Sequence, residues 1–233
     1  MGFFLVRTDT AQKGSRGLSM IMVDMKTPGI TVRPITSIDG VRQLTEVFLV
    51  DVRVPCQHLI GEENKGWDYA RWLLTNERVG SAFIYWARER LKCARQIAAE
   101  EMLNGRPLLE DPEYRRRLAR AEMLLTAHEW TVLRVLCNEK SAYDDIAVAA
   151  VLKTRGAQLQ QLVTELTMDV LGPHAVRTFI RDIDWAGGYE DTPEWPEWTR
   201  GPTASYLMAR AASIYGGAAQ IQRSIIARTA FGL

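Results

Sequence analysis

The spacing of apolar residues changes near residue 64, and this change restricts the chain to a fold with two different parts. Before that point, apolar residues alternate with polar ones or form short runs, as in 30–35 (ITVRPI) and 44–54 (LTEVFLVDVRV). Beyond it, apolar residues recur every three or four positions over long stretches. A period of two is typical of strands, and a three-four spacing is typical of helices. The sequence therefore predicts a mainly α, α+β chain, with an antiparallel β domain in residues 1–63 and a helical bundle in residues 64–233.

The β part is predicted to hold four strands, over residues 3–8, 17–25, 30–35 and 44–54. The turn signals Lys13-Gly14-Ser15, Thr27-Pro28-Gly29 and Asp39-Gly40 separate them. This order favours an antiparallel meander or a piece of a larger sandwich. Four strands alone leave one apolar face under-covered, and the chain opens directly inside a strand. We therefore expect a partial domain that lacks a preceding segment.

The second part is predicted to be an antiparallel four-helix-type bundle of long helices. Three long helices are expected over about 67–103, from 111 onward, and over about 144–171, with shorter helices over 203–214 and 218–229. Asp111-Pro112 supplies a helix cap followed by proline in the first turn. His128 lies on the apolar stripe of the second helix, where a satisfied core histidine is expected rather than a ligand. A loop rich in Trp, Pro, Gly and Glu spans 184–200; its tryptophans are expected to cap the bundle, with lining a pocket as the alternative.

Charge and cysteine usage exclude several classes of function. The net charge is +1, so nothing electrostatic indicates a nucleic acid or an anionic membrane as partner. No apolar run is long enough to span a bilayer. Cys56, Cys93 and Cys137 are scattered without metal-ligand spacing, so no metal site is predicted. Reduced thiols in a cytoplasmic protein are the expected state.

Two stretches carry a resemblance to a known family. Residues 46–67 (EVFLVDVRVPCQHLIGEENKGW) contain a strand with a V-x-V-P ending, followed by a G-E-x-x-x-G-W turn at the start of a helix. Residues 214–228 (IYGGAAQIQRSIIAR) match the pattern I-Y-E-G-T-x-E/Q-I-Q-R-x-I-I-A-R in all but a few positions. The chain resembles the acyl-CoA dehydrogenases, and the two matches lie in family order at opposite ends of the bundle. The resemblance implies the end of the β domain plus the C-terminal bundle, without the N-terminal helical domain.

The resemblance implies a flavin-dependent oxidation of an acyl-CoA thioester to the 2,3-enoyl-CoA. A carboxylate must remove the α-proton, and many members place this Glu in the Y-E-G motif. Here that position is Gly216, next to Tyr215 in the substrate-binding loop. Other members carry the Glu on the first bundle helix just before an Arg, which makes Glu77 the candidate base and Arg78 a candidate substrate contact. The alternative is that this Glu-Arg pair is an ordinary solvated pair on a helix surface.

The cofactor implied by the resemblance is FAD, with Gly217, Gln220 and Gly172 as candidate contacts. Several family positions differ here. The Thr of Y-E-G-T is Ala218, and the Gln of the family's Q-x-x-G-G turn is Asp169. In the family, an Arg contacts the FAD pyrophosphate of a neighbouring subunit. The matching position here is Glu101, whose negative charge would repel a pyrophosphate.

The implied partners are an acyl-CoA substrate, an electron-transfer flavoprotein and further subunits, in a homo- or hetero-oligomer assembled through the bundle. The differences at the FAD positions leave a second hypothesis open. In it, the chain is a non-catalytic or truncated subunit that contributes its bundle to a partner acyl-CoA dehydrogenase.

Overall fold

The computed structural model describes residues 1–76, 80–137, 145–172, 175 and 201–233. By its packing the chain divides into two compact units, one of Met1–Ile35 with Arg42–Glu77 and one of Thr36–Val41 with Arg78–Leu233. The sequence-based limit at residue 64 marks the change of hydrophobic period. The packing groups the first helix with the strands instead, because that helix lies against the second strand.

The first unit contains two antiparallel sheets. The strands β1 (Gly2–Arg7), β2 (Leu18–Val23) and β5 (Leu59–Ile60) form one sheet in the order β1-β2-β5. The strands β3 (Ile30–Ile35) and β4 (Leu44–Leu49) form a separate hairpin. The four predicted strands are confirmed, but the meander is wrong, since β2 pairs with β1 and β5 and not with β3. β4 ends before the predicted residue 54, and Asp51 there has a φ of 51°, which no regular strand allows.

The helix α1 (Gly66–Asn76) is joined to the sheet of this unit by the two glycines of the G-E-x-x-x-G-W turn. Gly61 has a φ of 69°, and the ring of Tyr69 lies directly above it. The Glu62 amide donates a hydrogen bond to Tyr69 Oη over 2.8 Å. Gly66 lies against the β2 backbone so closely that a Cβ on it would be 2.5 Å from the Ser19 carbonyl carbon. The turn therefore serves close backbone packing.

The second unit is a helical bundle, which confirms the predicted mainly α, α+β class. Its described helices are α2 (Ile84–Glu100), α3 (Pro112–Leu136), α4 (Asp145–Leu171), α5 (Pro202–Ala209) and α6 (Ala219–Phe231). The core lies among α2, α3 and α4. Its fully buried members include Ala87, Ala98, Ala121, Leu118, Val163 and Leu166.

The single helix predicted over 67–103 is wrong. α1 is described over Gly66–Asn76, a 3-10 turn lies at Gly80–Ala82, and α2 begins at Ile84. Phe83, between the turn and α2, is left-handed at a φ of 54°, which interrupts any continuous helix. α2 ends at Glu100, ahead of a small hairpin of Met102–Leu103 (β6) and Arg106–Pro107 (β7). The residues between these strands are Asn104 and Gly105, both at positive φ, and Asn-Gly is a common hairpin turn.

The start and the buried stripe of α3 follow the prediction. The Asp111 carboxylate accepts a hydrogen bond from the Tyr114 amide over 2.8 Å, which caps the helix. His128 is 6% exposed, and its Nε2 lies 3.1 Å from the Ala82 carbonyl oxygen. His128 is therefore a core histidine with a local partner, as expected.

Parts of the sequence-based predictions fall outside the described residues, including the tryptophan-rich loop 184–200. Among the residues that are described, no helix has both the length and the continuous apolar character needed to cross a membrane. The same residues hold no group of three or more His, Cys, Asp or Glu side chains suited to a metal ion. The three cysteines are free thiols.

Candidate functional site

The predicted base Glu77 and its neighbour Arg78 lie outside the described residues. Asn76, directly before them, is the last described residue of α1. The assignment of the base therefore stays a prediction from the sequence.

Tyr215, Gly216 and Gly217 form one turn between the 3-10 turn Arg210–Ser213 and α6. Gly216 has a φ of 63° and Gly217 a φ of 99°, both in the region that favours glycine. The side-chain amide of Gln222 lies directly against Gly217, where it would clash with any Cβ. The backbone of this turn, which we call the 215–217 turn, therefore passes through two left-handed positions that favour glycine.

Polar side chains of α4 hold the segment that leads into the 215–217 turn. These contacts begin at the end of α5 and continue to Tyr215, so the turn is anchored along its approach. Gln161 Nε2 donates to the carbonyl oxygens of Ala209 and Arg210, over 3.4 Å each, and Arg210 donates to the Glu165 carboxylate over 2.9 Å. Lys153 Nζ donates to the Ala212 carbonyl oxygen over 2.6 Å, and Tyr215 Oη donates to Gln160 Oε1 over 3.2 Å.

Lys153 is a member of this site that the sequence analysis missed. It is 5% exposed, and its Nζ lies 4.9 Å from the centre of the Tyr215 ring. Burial lowers the pKa of the Lys153 ammonium and raises the pKa of the Tyr215 hydroxyl. A sequence signal was available, because Lys153 and Gln160 lie seven positions apart within an otherwise apolar helical stripe.

Gln160 contributes a buried donor that has no partner among the described atoms. Its side chain is 5% exposed, and its Oε1 accepts from Tyr215, while its Nε2 meets no acceptor. An unsatisfied buried donor lowers the free energy of unfolding by about 1–3 kcal/mol, so Nε2 of Gln160 destabilises the fold beside the 215–217 turn.

The predicted cofactor contacts Gly217, Gln220 and Gly172 lie on two separate segments of the chain. Gln220 is exposed in the first turn of α6, close in sequence to Gly217. Gly172 is exposed beyond the end of α4, at a φ of 49°.

Asp169, at the slot of the expected Gln, is engaged in an ion pair. Its carboxylate lies 2.6 Å from Arg117 of α3, with both side chains 36% exposed. Burial raises the pKa of the Asp169 carboxyl, and Arg117 acts in the opposite direction. The pair links α3 to α4. Arg116, the neighbour of Arg117, pairs with Glu113 at the surface.

Comparison with known proteins shows which family has this architecture. The acyl-CoA dehydrogenase C-terminal domain family matches residues 64–231, a range that includes the anchored 215–217 turn. The chain belongs to the acyl-CoA dehydrogenase family. Among curated relatives, it is 33% identical to the acyl-CoA dehydrogenase IpdE1 of Mycobacterium tuberculosis, over 99% of this chain and 54% of the relative. It is 28% identical to a cyclohexane-1-carbonyl-CoA dehydrogenase of Syntrophus aciditrophicus, over 93% of this chain and 52% of the relative.

Two solved structures share the fold. The ChsE4-ChsE5 complex from Mycobacterium tuberculosis matches with a TM-score of 0.77 and 24% identity, over 99% of this chain and 56% of that one. A glutaryl-coenzyme A dehydrogenase matches with a TM-score of 0.76 and 19% identity, over 99% and 54%. The chain therefore spans about half the length of the acyl-CoA dehydrogenases that it matches.

Proposed function

We propose that this chain is the C-terminal part of an FAD-dependent acyl-CoA dehydrogenase that converts an acyl-CoA thioester to the 2,3-enoyl-CoA. Family membership and the anchored 215–217 turn support this proposal. The turn is held by the buried Lys153 and by the hydrogen bond from Tyr215 to the buried Gln160, and an element serving only to connect two helices does not require a buried lysine.

In this proposal Glu77 removes the α-proton of the thioester, and the 215–217 turn contacts the substrate. A glycine at 216 carries no side chain toward the substrate, which leaves space for a carboxylate that comes from another helix. Arg78 holds the thioester end of the substrate. FAD, when bound, would supply the acceptor for the hydride of the β-carbon, and an electron-transfer flavoprotein would be the electron acceptor of the enzyme.

The residues of this chain fit a partial contact with FAD. The amide of Gln220 is exposed near the N-terminus of α6, a helix whose N-cap Ala218 offers no side-chain acceptor. The first amides of α6 and the Gln220 side chain are thus available donors. Gly172 is exposed with no described atom near an added Cβ, which permits close approach of a ligand to its backbone.

The visible spectrum of the purified chain, with and without added FAD, tests the cofactor. We expect a bound-flavin spectrum that bleaches when acyl-CoA is added. If the protein shows no flavin absorbance after incubation with saturating FAD and removal of the unbound FAD, the catalytic proposal for this chain is contradicted.

The substitution Glu77→Gln tests the base. We expect turnover with an artificial electron acceptor to be abolished while flavin absorbance and acyl-CoA binding persist, because the amide cannot take the proton. Glu89→Gln is the matched control, since Glu89 is an exposed carboxylate on α2, and its turnover should equal that of the wild type. Unchanged turnover in Glu77→Gln contradicts the assignment.

A second candidate function is a non-catalytic subunit that contributes its bundle to a partner acyl-CoA dehydrogenase. The Arg117–Asp169 ion pair favours it, because that pair occupies the slot of an expected cofactor amide. An exposed apolar strip on α3, formed by Met123, Trp130 and Leu133, supports assembly through the bundle. The similar ChsE4-ChsE5 structure is a complex of two proteins. Sedimentation of the chain alone and with a complete acyl-CoA dehydrogenase subunit distinguishes the homo-oligomer from the hetero-oligomer.

A further inference from the structure

Lys153 is a buried cation without a carboxylate partner among the described residues. The segment 201–233, which supplies the helices that pack on this side of α4, contains no Asp or Glu. The acids further along α4, Glu165 and Asp169, are paired with Arg210 and Arg117. Burial lowers the pKa of the Lys153 ammonium.

A buried ammonium destabilises the folded chain, because it loses hydration that only hydrogen bonds or an opposite charge replace. Lys153 has the Ala212 carbonyl oxygen and the face of the Tyr215 ring as its described contacts. Both contacts belong to the approach to the 215–217 turn. The lysine is therefore placed to hold that segment.

Gly216 lies directly over the end of the Lys153 side chain. A Cβ built on Gly216 would be 3.3 Å from Lys153 Cε and 3.9 Å from Nζ. Any longer side chain at position 216 therefore starts within reach of the ammonium. An acidic side chain at position 216 would supply the negative charge that Lys153 lacks among the described residues.

We propose that Lys153 is a positioning residue that decides where the base of the site comes from. It holds the 215–217 turn through Ala212 and Tyr215, and it makes position 216 a place where a carboxylate is captured as an ion pair. A captured carboxylate is a poor general base, because a neighbouring cation lowers its pKa well below the working pH. The catalytic meaning of this inference rests on the proposed function, while the ion pair itself does not.

The test compares the pKa of Lys153 in Gly216→Glu and Gly216→Gln, two side chains of equal length that differ in charge. The chain carries 13C,15N-labelled lysine, and the Lys153 signal is assigned by its loss in Lys153→Met. We expect the wild-type pKa to lie below the ordinary value of about 10.4. We expect it to be higher in Gly216→Glu than in Gly216→Gln by about one unit or more, because only the carboxylate stabilises the ammonium.

Equal pKa values of Lys153 in the two variants overturn the proposal, and so does an ordinary pKa in the wild type. The left-handed backbone at position 216 favours Asn and Asp over other side chains. If circular dichroism shows that the longer variants do not fold, Gly216→Asp and Gly216→Asn supply the same comparison. The titration needs neither FAD, nor a thioester, nor turnover. A chain that fails the flavin test can therefore still pass this one, and the reverse also holds.

Discussion

The substitution Gly66→Ala tests whether the G-E-x-x-x-G-W turn exists for close packing. An added Cβ would lie 2.5 Å from the carbonyl carbon of Ser19, 2.7 Å from the Met20 nitrogen and 2.8 Å from the Ser19 Cα. These atoms are backbone of β2, a strand paired on both sides, so they cannot move without disturbing the sheet. One extra methyl group must therefore push α1 and β2 apart.

The expected loss is about 1–3 kcal/mol in the free energy of unfolding, the range found for overpacked sites. For a chain of this size each kcal/mol lowers the Tm by about 2–4 °C, so we expect a decrease of about 2–12 °C. Thermal unfolding followed by circular dichroism gives the decrease. Amide hydrogen exchange should locate the faster opening in β2 and α1.

Gly80→Ala is the matched control, because no described atom lies within 4 Å of a Cβ added there and its φ is not positive. The same change in composition should leave the stability unchanged or raise it by about 0.4–1 kcal/mol, by restricting the unfolded chain. If Gly66→Ala is as stable as Gly80→Ala, the packing argument for this turn is refuted.

Three further predictions concern the second unit. Asp111→Ala should lower the free energy of unfolding by about 0.5–2 kcal/mol in urea titrations, because the Tyr114 amide loses its cap, while Asp111→Asn should retain most of it. Leu166→Ala should cost about 2–5 kcal/mol by the same assay, because this side chain is 0% exposed in the core, and a loss below about 1 kcal/mol would contradict the packing described. Burial lowers the pKa of His128 in the folded chain, so the unfolded chain binds more protons below about pH 6.5, and stability should fall as the pH falls through that window. His128→Gln should show a shallower fall in stability between about pH 7 and 5 in the same titrations, and equal slopes would count against a neutral buried imidazole.

The sequence predicted elements most reliably where their signal is local. The cap at Asp111, the buried stripe of α3 and the positions of the four long strands each depend on residues within a few positions of each other. The pairing of the strands was wrong, since the β2 edge is taken by β5, a two-residue strand some 35 positions further along the chain. The interruption before α2 was missed as well, because Phe83 in a left-handed conformation has no composition signal.

The candidate site divides in the same way. Motif letters alone identified the 215–217 turn and the absence of an acid at Gly216, because these are statements about residue identity. They did not predict that Lys153, 63 positions earlier, lies beneath Gly216, or that Asp169 pairs with Arg117. Local patterns determine which helices and turns form and which side of each is apolar. Which charged side chain ends up buried beside which turn depends on how α4 packs against the segment 209–216, and only the tertiary structure decides that.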